Sequence, residues 1–390
     1  MDVRIKMLQL LLQQVFLGRG MKGKPFTPQI VSYSVTSACN YRCPHCHADA
    51  GKATQNELTI EEARRVVNEM AELGTEVIIF SGGEPLLRKG FILSLARYCF
   101  DLGIMPVILT NGSLLDYKTA QELKDAGIIA AGIPLDYATP QRFDELRNAP
   151  GAFESAIRAI KACHKADLPV AATIMLFQDS LNELPKLMDL LYNLNVEQAV
   201  LYDFIPVGRG TKISDLVMDY EQRVKLLDYL FRIQAEREMF FLISGGSPLY
   251  PGIVLEMHKK YGIKVPRRLL KSFLMQSKFG CPAGIQYFSL RPNGDVYPCP
   301  FLQLKTGNVR EQSLSNIWYS SEILANLRNR NLLKGKCNKC SYREICGGCR
   351  AKAWLKEGDY LASDPNCSID LFKAKRIDPT TIDCVSICVG

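Results

Sequence analysis

Three thiols stand close together early in the chain, in Cys39-Asn40-Tyr41-Arg42-Cys43-Pro44-His45-Cys46, a C-x3-C-x2-C array just after the apolar run Ile30 to Val35. Soft thiolates at that spacing suit an iron–sulfur cluster or a zinc ion. Three protein ligands leave one metal position open, which a catalytic centre requires and a closed structural site does not. Further on, Val77-Ile78-Ile79-Phe80 runs straight into Ser81-Gly82-Gly83-Glu84-Pro85. An apolar run bounded by a glycine pair reads as a buried strand and the turn that leaves it. Gly82 and Gly83, lacking side chains, let a ligand come close to the backbone, and the Glu84 carboxylate offers an acceptor for an ammonium group.

A second concentration of thiols lies near the C-terminus: Cys281, Cys299, then Cys337-x2-Cys340-x5-Cys346-x2-Cys349, and Cys367. Seven thiols exceed what one tetrahedral zinc or one cubane can use, so two centres are implied, with zinc in both as the structural alternative. Cys384 and Cys388 form a pair in the tail. Cys99 and Cys163 fall inside expected helices and read as buried apolar residues.

The elements that must position these groups alternate. Strands are expected at 77–80, 106–110, 128–135, 170–176 and 198–205, with helices at 60–73, 91–102, 117–126, 153–166 and 184–194 between them. Thr59 reads as an N-cap ahead of Glu61 and Glu62. Such alternation predicts a parallel α/β sheet with helical crossovers. About six units make a partial (β/α)6 barrel, whose ligands belong at the C-terminal strand ends. The thiol triplet, the Gly82-Gly83 turn, Asn111-Gly112 and Asp136 all follow expected strands, so they converge at one mouth. Arg209, in the turn Gly208-Arg209-Gly210, is placed to reach a carboxylate there.

The whole chain sets bounds. Its 390 residues suggest one large domain and a smaller one. Charged residues make up 23%, and the net charge of +8 shows no long single-sign block, which argues against a nucleic-acid partner and favours anionic ligands. The fourteen cysteines cluster as metal ligands do in a reducing compartment, so a cytoplasmic location is expected. The run Met7 to Leu17 is broken by Gln9, Gln13 and Gln14 and is too short to span a bilayer, so it reads as an amphipathic helix with no membrane span. A helix is expected at 219–236, then a break at 245–252. Beyond it, Lys259, Lys260, Lys264, Arg267, Arg268, Lys271 and Lys278 make a basic amphipathic segment suited to an acidic substrate.

Triplet and turn together resemble the radical S-adenosylmethionine (SAM) enzymes, and the later cysteines resemble the SPASM extension that a branch of them carries. Arg291-Pro292-Asn293-Gly294-Asp295-Val296-Tyr297-Pro298-Cys299, Gly307-Asn308-Val309 and Trp318 carry the second likeness. The resemblance implies a radical SAM core at 29–245, a basic junction at 246–280 and a SPASM domain at 281–370, flanked by an extension 1–28 and a tail 371–390. It implies that Cys39, Cys43 and Cys46 hold a 4Fe–4S cluster that splits SAM, with Gly82, Gly83, Glu84, Pro85, Asn111, Asp136 and His45 around the cofactor. It also implies two auxiliary 4Fe–4S clusters. One would be held by Cys337, Cys340, Cys346 and Cys367. The other would be held by Cys281, Cys299 and Cys349, with its last iron open to substrate or closed by Cys384 or Cys388. The chain departs from the family in having Pro134-Leu135-Asp136 where Ser-x-Asp is usual, His45 where an aromatic is common, and a shorter Cys346–Cys349 spacing.

The likeness extends to haem-pathway members, carried by Cys346-Gly347-Gly348-Cys349-Arg350-Ala351-Lys352-Ala353, Gly358-Asp359, Asp364-Pro365-Asn366-Cys367 and the Gly208-Arg209-Gly210 turn. It implies oxidative modification or decarboxylation of tetrapyrrole side chains, with a ferredoxin or flavodoxin as electron donor. Peptide-maturing SPASM enzymes are the alternative. A non-catalytic iron–sulfur carrier or zinc protein is the more distant one.

Overall fold

The computed structural model describes residues 26–196, 198–219, 221–223, 225–226, 229–230, 233, 240–244, 280–344 and 346–367. The amphipathic run 7–17, the basic segment 259–278 and the tail with Cys384 and Cys388 lie outside the described residues, as does much of the expected helix 219–236.

Seven strands follow one another in chain order and pair in parallel: β1 (Ile30–Ser34), β2 (Val77–Ser81), β3 (Met105–Leu109), β4 (Ala130–Pro134), β5 (Val170–Leu176), β6 (Gln198–Asp203) and β7 (Phe240–Ser244). Between them run α1 (Ile60–Glu72), α2 (Lys89–Asp101), α3 (Tyr117–Asp125), α4 (Pro140–Arg147), α5 (Ala152–Lys165) and α6 (Ser180–Asn193). The starts have local causes. Thr59 and Glu62 close a reciprocal capping box on α1, and Asp116 accepts from Thr119 N at 2.8 Å to open α3. The strands are apolar because helices or the opposite wall cover them; Val31, Ile78, Phe80, Ile108, Ile133, Ile174 and Leu201 are fully buried. Each such side chain contributes about 1.5–3 kcal/mol through removal from water.

The C-terminal part completes this sheet. β8 (Tyr287–Leu290) pairs in parallel with β1, and β9 (Asp295–Tyr297) and β10 (Gly307–Asn308) continue antiparallel beyond it. The strand order is therefore β10-β9-β8-β1-β2-β3-β4-β5-β6-β7. The short helices α7 (Leu314–Ser320), α8 (Glu322–Arg328), α9 (Gly335–Lys339) and α10 (Arg350–Glu357) follow. One face of α1 fastens them. Arg310 donates to both Glu62 oxygens at 2.7 Å, Arg65 Nη2 donates to the Val309 carbonyl at 2.9 Å, and the Glu69 carboxylate accepts from Leu314 N. Trp318 of α7 is fully buried against Phe288 of β8, in the same apolar core as the parallel strands. Among the described residues no helix is long and apolar enough to cross a membrane.

Candidate active site

The loop after β1 carries the three thiols, and its neighbours at the C-terminal strand ends hold it in shape. Ala38 and Gly51 form a bridge, with Cys39 N donating to the Gly51 carbonyl at 2.9 Å and Gly51 N to that of Ser37 at 2.8 Å. Glu57 accepts from Thr36 Oγ1 at 2.9 Å and from Ser37 N at 2.8 Å, and Arg88 donates to the Val35 carbonyl at 2.7 Å. After β6, Arg209 N donates to the Cys46 carbonyl and Arg209 Nε to that of Cys43, both at 3.0 Å, while its Nη1 reaches Asp49 and the Ala50 carbonyl. The arginine expected to reach a carboxylate at the mouth thus meets Asp49, within the thiol loop. Gly208, at φ +60°, is required there because a Cβ would lie 2.6 Å from the Cys46 and His47 carbonyl oxygens.

The Gly82-Gly83 turn serves the same loop. Gly83 N donates to the Thr36 carbonyl at 2.8 Å and Glu84 N to that of Ala38 at 2.7 Å. A Cβ on Gly83 would stand 1.9 Å from the Ala38 carbonyl oxygen, and one on Gly82, at φ +139°, 2.5 Å from that of Thr36. The space a side chain would fill holds the thiol loop's own backbone, where the sequence suggested an approaching ligand. Pro85 then begins a short 3-10 turn, Pro85–Arg88.

Glu84 is fully buried. Its Oε1 accepts from Leu86 N at 2.9 Å and Thr110 Oγ1 at 2.6 Å, and its Oε2 from Asn111 N at 2.8 Å. Burial pushes its pKa up against those three bonds. The carboxylate ties β2 to the end of β3 and faces the interior. Asn111, so placed, donates to Asn40 Oδ1 at 2.9 Å and stands 4.0 Å from Cys39 Sγ. His45 turns inward, with its ring edge-on to Phe177 at 5.9 Å and Nδ1 buried without a partner among the described residues. Desolvation, then the nearby Arg147 charge, holds its pKa well below the usual imidazole range.

Asp136, after β4, is also buried. It accepts from Met175 N at 2.7 Å and pairs with the guanidinium of Arg147 at the end of α4. The sequence reading missed Arg147 because α4 is short and its polarity resembles a solvated face. Burial works against the Arg147 charge, but Asp136 and Cys43 together raise its pKa. Its Nε is buried with no partner among the described residues.

The remaining thiols fall into sets by electrostatic proximity. Cys39 feels Cys43 and Cys46. Cys281 acts on both Cys299 and Cys349, and Cys346 feels Cys367 and Cys337. Desolvation pushes Cys39 up to about 11 and Cys299 and Cys349 up to about 12. Thiolates so buried require a cation, and a coordinating metal removes the thiol proton outright. The surroundings also suit sulfur ligands. N–H groups of Tyr41, Leu302, Asp364, Tyr342 and Gly348 donate to the sulfurs of Cys39, Cys299, Cys337, Cys340 and Cys346 at 3.2–3.4 Å, and Arg350 Nη2 reaches Cys337 at 3.6 Å. Among the described residues no three His, Cys, Asp or Glu side chains close on one point as a lone metal ion requires. A cubane takes its thiolates at the corners of a larger body. Cys99 and Cys163, in α2 and α5, are fully buried apolar residues as expected.

A buried triad joins the two halves. Asp203, at the end of β6, pairs with Arg223 and accepts from Lys352 Nζ at 2.8 Å, Lys352 lying one turn beyond Cys349.

Comparison with known proteins agrees with this arrangement. The model of the radical SAM superfamily matches residues 33–191, and that of the SPASM iron-sulfur cluster-binding domain matches 281–350. The chain is 33% identical over 342 residues to the AdoMet-dependent heme synthase of Methanosarcina barkeri, covering 87% of this chain and 96% of that protein. It is 30% identical over 353 residues to the Fe-coproporphyrin III synthase of the same organism, covering 87% of each. Its fold is similar to that of Streptococcus suis SuiB bound to precursor peptide SuiA, with a TM-score of 0.69 and 22% identity over 87% of this chain and 75% of that one. The chain therefore belongs to the SPASM-bearing radical SAM enzymes related to the heme synthases, which work with SAM at a [4Fe-4S] centre and carry auxiliary iron–sulfur clusters.

Proposed function

We propose that this enzyme removes carboxylate from tetrapyrrole side chains by hydrogen abstraction, with Cys39, Cys43 and Cys46 holding the SAM-cleaving centre. When bound, that centre and SAM supply a 5′-deoxyadenosyl radical able to take an unactivated hydrogen. The chain's own residues fix where this happens. Arg209, Glu57 and the Gly82-Gly83 turn hold the thiol loop. Asn111 braces Asn40 beside Cys39. Glu84 acts by position, since its carboxylate fixes Asn111 and the turn from within. Arg147, pinned by Asp136 beside Cys43, offers its remaining guanidinium edge to the SAM carboxylate. Pro134 brings no hydroxyl, so no side chain on that residue can donate to the cofactor.

We place two auxiliary clusters, one on Cys337, Cys340, Cys346 and Cys367 and one on Cys281, Cys299 and Cys349, a reading supported by the grouping of every one of these thiols but Cys340. Arg330, donating to the Cys281 carbonyl at 3.2 Å, and Asp364, accepting from Cys349 N at 2.7 Å, hold their backbones.

The observation that carries the substrate is kinship over nearly the full length of a heme synthase. The test is anaerobic incubation of the reconstituted enzyme with SAM, a reductant and iron coproporphyrin III. Loss of CO2 from the porphyrin, matched by 5′-deoxyadenosine, is expected. Deoxyadenosine formation with an intact porphyrin would refute the tetrapyrrole reading.

A further inference from the structure

Arg291 follows β8 directly, at the same strand ends as the thiol loop. One of its nitrogens is engaged: Nη2 donates to the Pro300 carbonyl at 3.0 Å and lies 3.4 Å from Gln303 Oε1, while the guanidinium rests over the Tyr297 ring at 5.0 Å. Nε and Nη1 have no partner, and no carboxylate pairs with this cation, among the described residues. Desolvation pulls its pKa down, and the groups that offset this are Tyr297, Cys299, Tyr287 and Cys46. Arg291 therefore lies near enough to feel both Cys46 of the triplet and Cys299 of the auxiliary set.

The surroundings describe a hollow. Tyr202 on β6 and Tyr287 on β8 sit far apart in the sheet order yet feel one another's charge, so they meet across its concave side. Both keep part of their surface open although burial raises the pKa of each. His47, also partly open, packs its ring on Phe301 at 5.1 Å. Flat aromatic walls beside a guanidinium with two nitrogens left to donate suit a flat, anionic ligand.

We propose that Arg291 anchors a substrate carboxylate at these strand ends, receiving it in the fork of Nε and Nη1. The inference rests on the tetrapyrrole reading above and adds the residue that orients the macrocycle. A carboxylate there makes charge-assisted bonds with the two nitrogens that have no partner among the described residues.

The test is anaerobic titration of the reconstituted enzyme with iron coproporphyrin III and with its tetramethyl ester, followed by the porphyrin absorbance shift. Arg291→Gln should weaken binding of the acid by about 10- to 100-fold, from the usual contribution of a hydrogen bond to a charged group, and leave ester binding unchanged. Arg291→Lys, which keeps the charge without the fork, should fall between. Iron content serves as the folding control. If the parent enzyme binds acid and ester equally and Arg291→Gln changes neither, the anchor is refuted while the tetrapyrrole reading stands. Failure of the parent to bind either compound would overturn both. A shifted cluster midpoint potential in Arg291→Gln with unchanged porphyrin affinity would make Arg291 a counter-ion of a cluster and likewise refute the anchor.

Discussion

Gly83→Ala isolates the claim that the glycine pair makes room for the thiol loop. Gly83 has no positive φ, so alanine meets no backbone penalty there, and the whole effect comes from the added methyl. That methyl would lie 1.9 Å from the Ala38 oxygen, 2.4 Å from its carbonyl carbon and 3.0 Å from Cys39 N, all backbone atoms that cannot swing aside. Ordinary contact begins at 3.4 Å, so the loop would have to retreat by roughly 1.5 Å. The 2.7 Å bond from Glu84 N to the Ala38 carbonyl crosses this gap and would break. Together the overpacking and the lost bond should cost about 2–4 kcal/mol. The displacement falls on Cys39, so the metal centre should suffer more than the fold. After anaerobic reconstitution Gly83→Ala should lose iron from the triplet site while the auxiliary iron stays, as counted by iron analysis and EPR. Thermal unfolding should shift down by only a few degrees for a chain this long. A variant with full iron content and parental SAM cleavage would refute the reasoning, because the methyl would then have found room that the geometry denies it.

Glu84→Gln turns an amide NH2 toward N–H or O–H donors that now find an acceptor, and should destabilise the enzyme by about 1–3 kcal/mol; an unchanged unfolding midpoint would contradict the inward placement of its carboxylate. Asp203→Ala leaves Arg223 and Lys352 buried without their anion and should cost about 3–5 kcal/mol, read by denaturant unfolding. Loss within the range of an exposed pair would disprove the triad. The Glu62–Arg310 pair predicts a pH effect. Arg310 holds the Glu62 pKa at about 2, below its ordinary 4.5, so the pair stabilises fully above pH 4.5 and is lost as pH falls from there toward 2. Arg310→Gln should thus lower stability at neutral pH, and its difference from the parent should shrink through that window. A difference independent of pH would count against the pair.

The parallel core was legible because its strands are unbroken apolar runs closed by glycine or asparagine turns, as with Val77–Ser81 and its Gly82-Gly83 exit. The thiol loop was legible because its spacing is local. What escaped depends on distance in the chain. Arg147 shows its role only once α4 brings it under Cys43. Lys352 reads as an ordinary helical lysine until Asp203 of β6 meets it. Strands β8 to β10 are two to four residues long, too short for periodicity to register, and β8 gains its place by pairing with β1. Glu84 is expected at the site by type and position, but the direction its carboxylate faces depends on Thr110 and Asn111, which follow the next strand.

The central claim is that Cys39, Cys43 and Cys46 together hold the centre that cleaves SAM. The most direct measurement is 5′-deoxyadenosine formed under reducing, anaerobic conditions by the parent enzyme and by the Cys39→Ala/Cys43→Ala/Cys46→Ala variant. The account predicts formation by the parent and none by the variant, with auxiliary-cluster iron retained. Continued deoxyadenosine formation by the variant would contradict it.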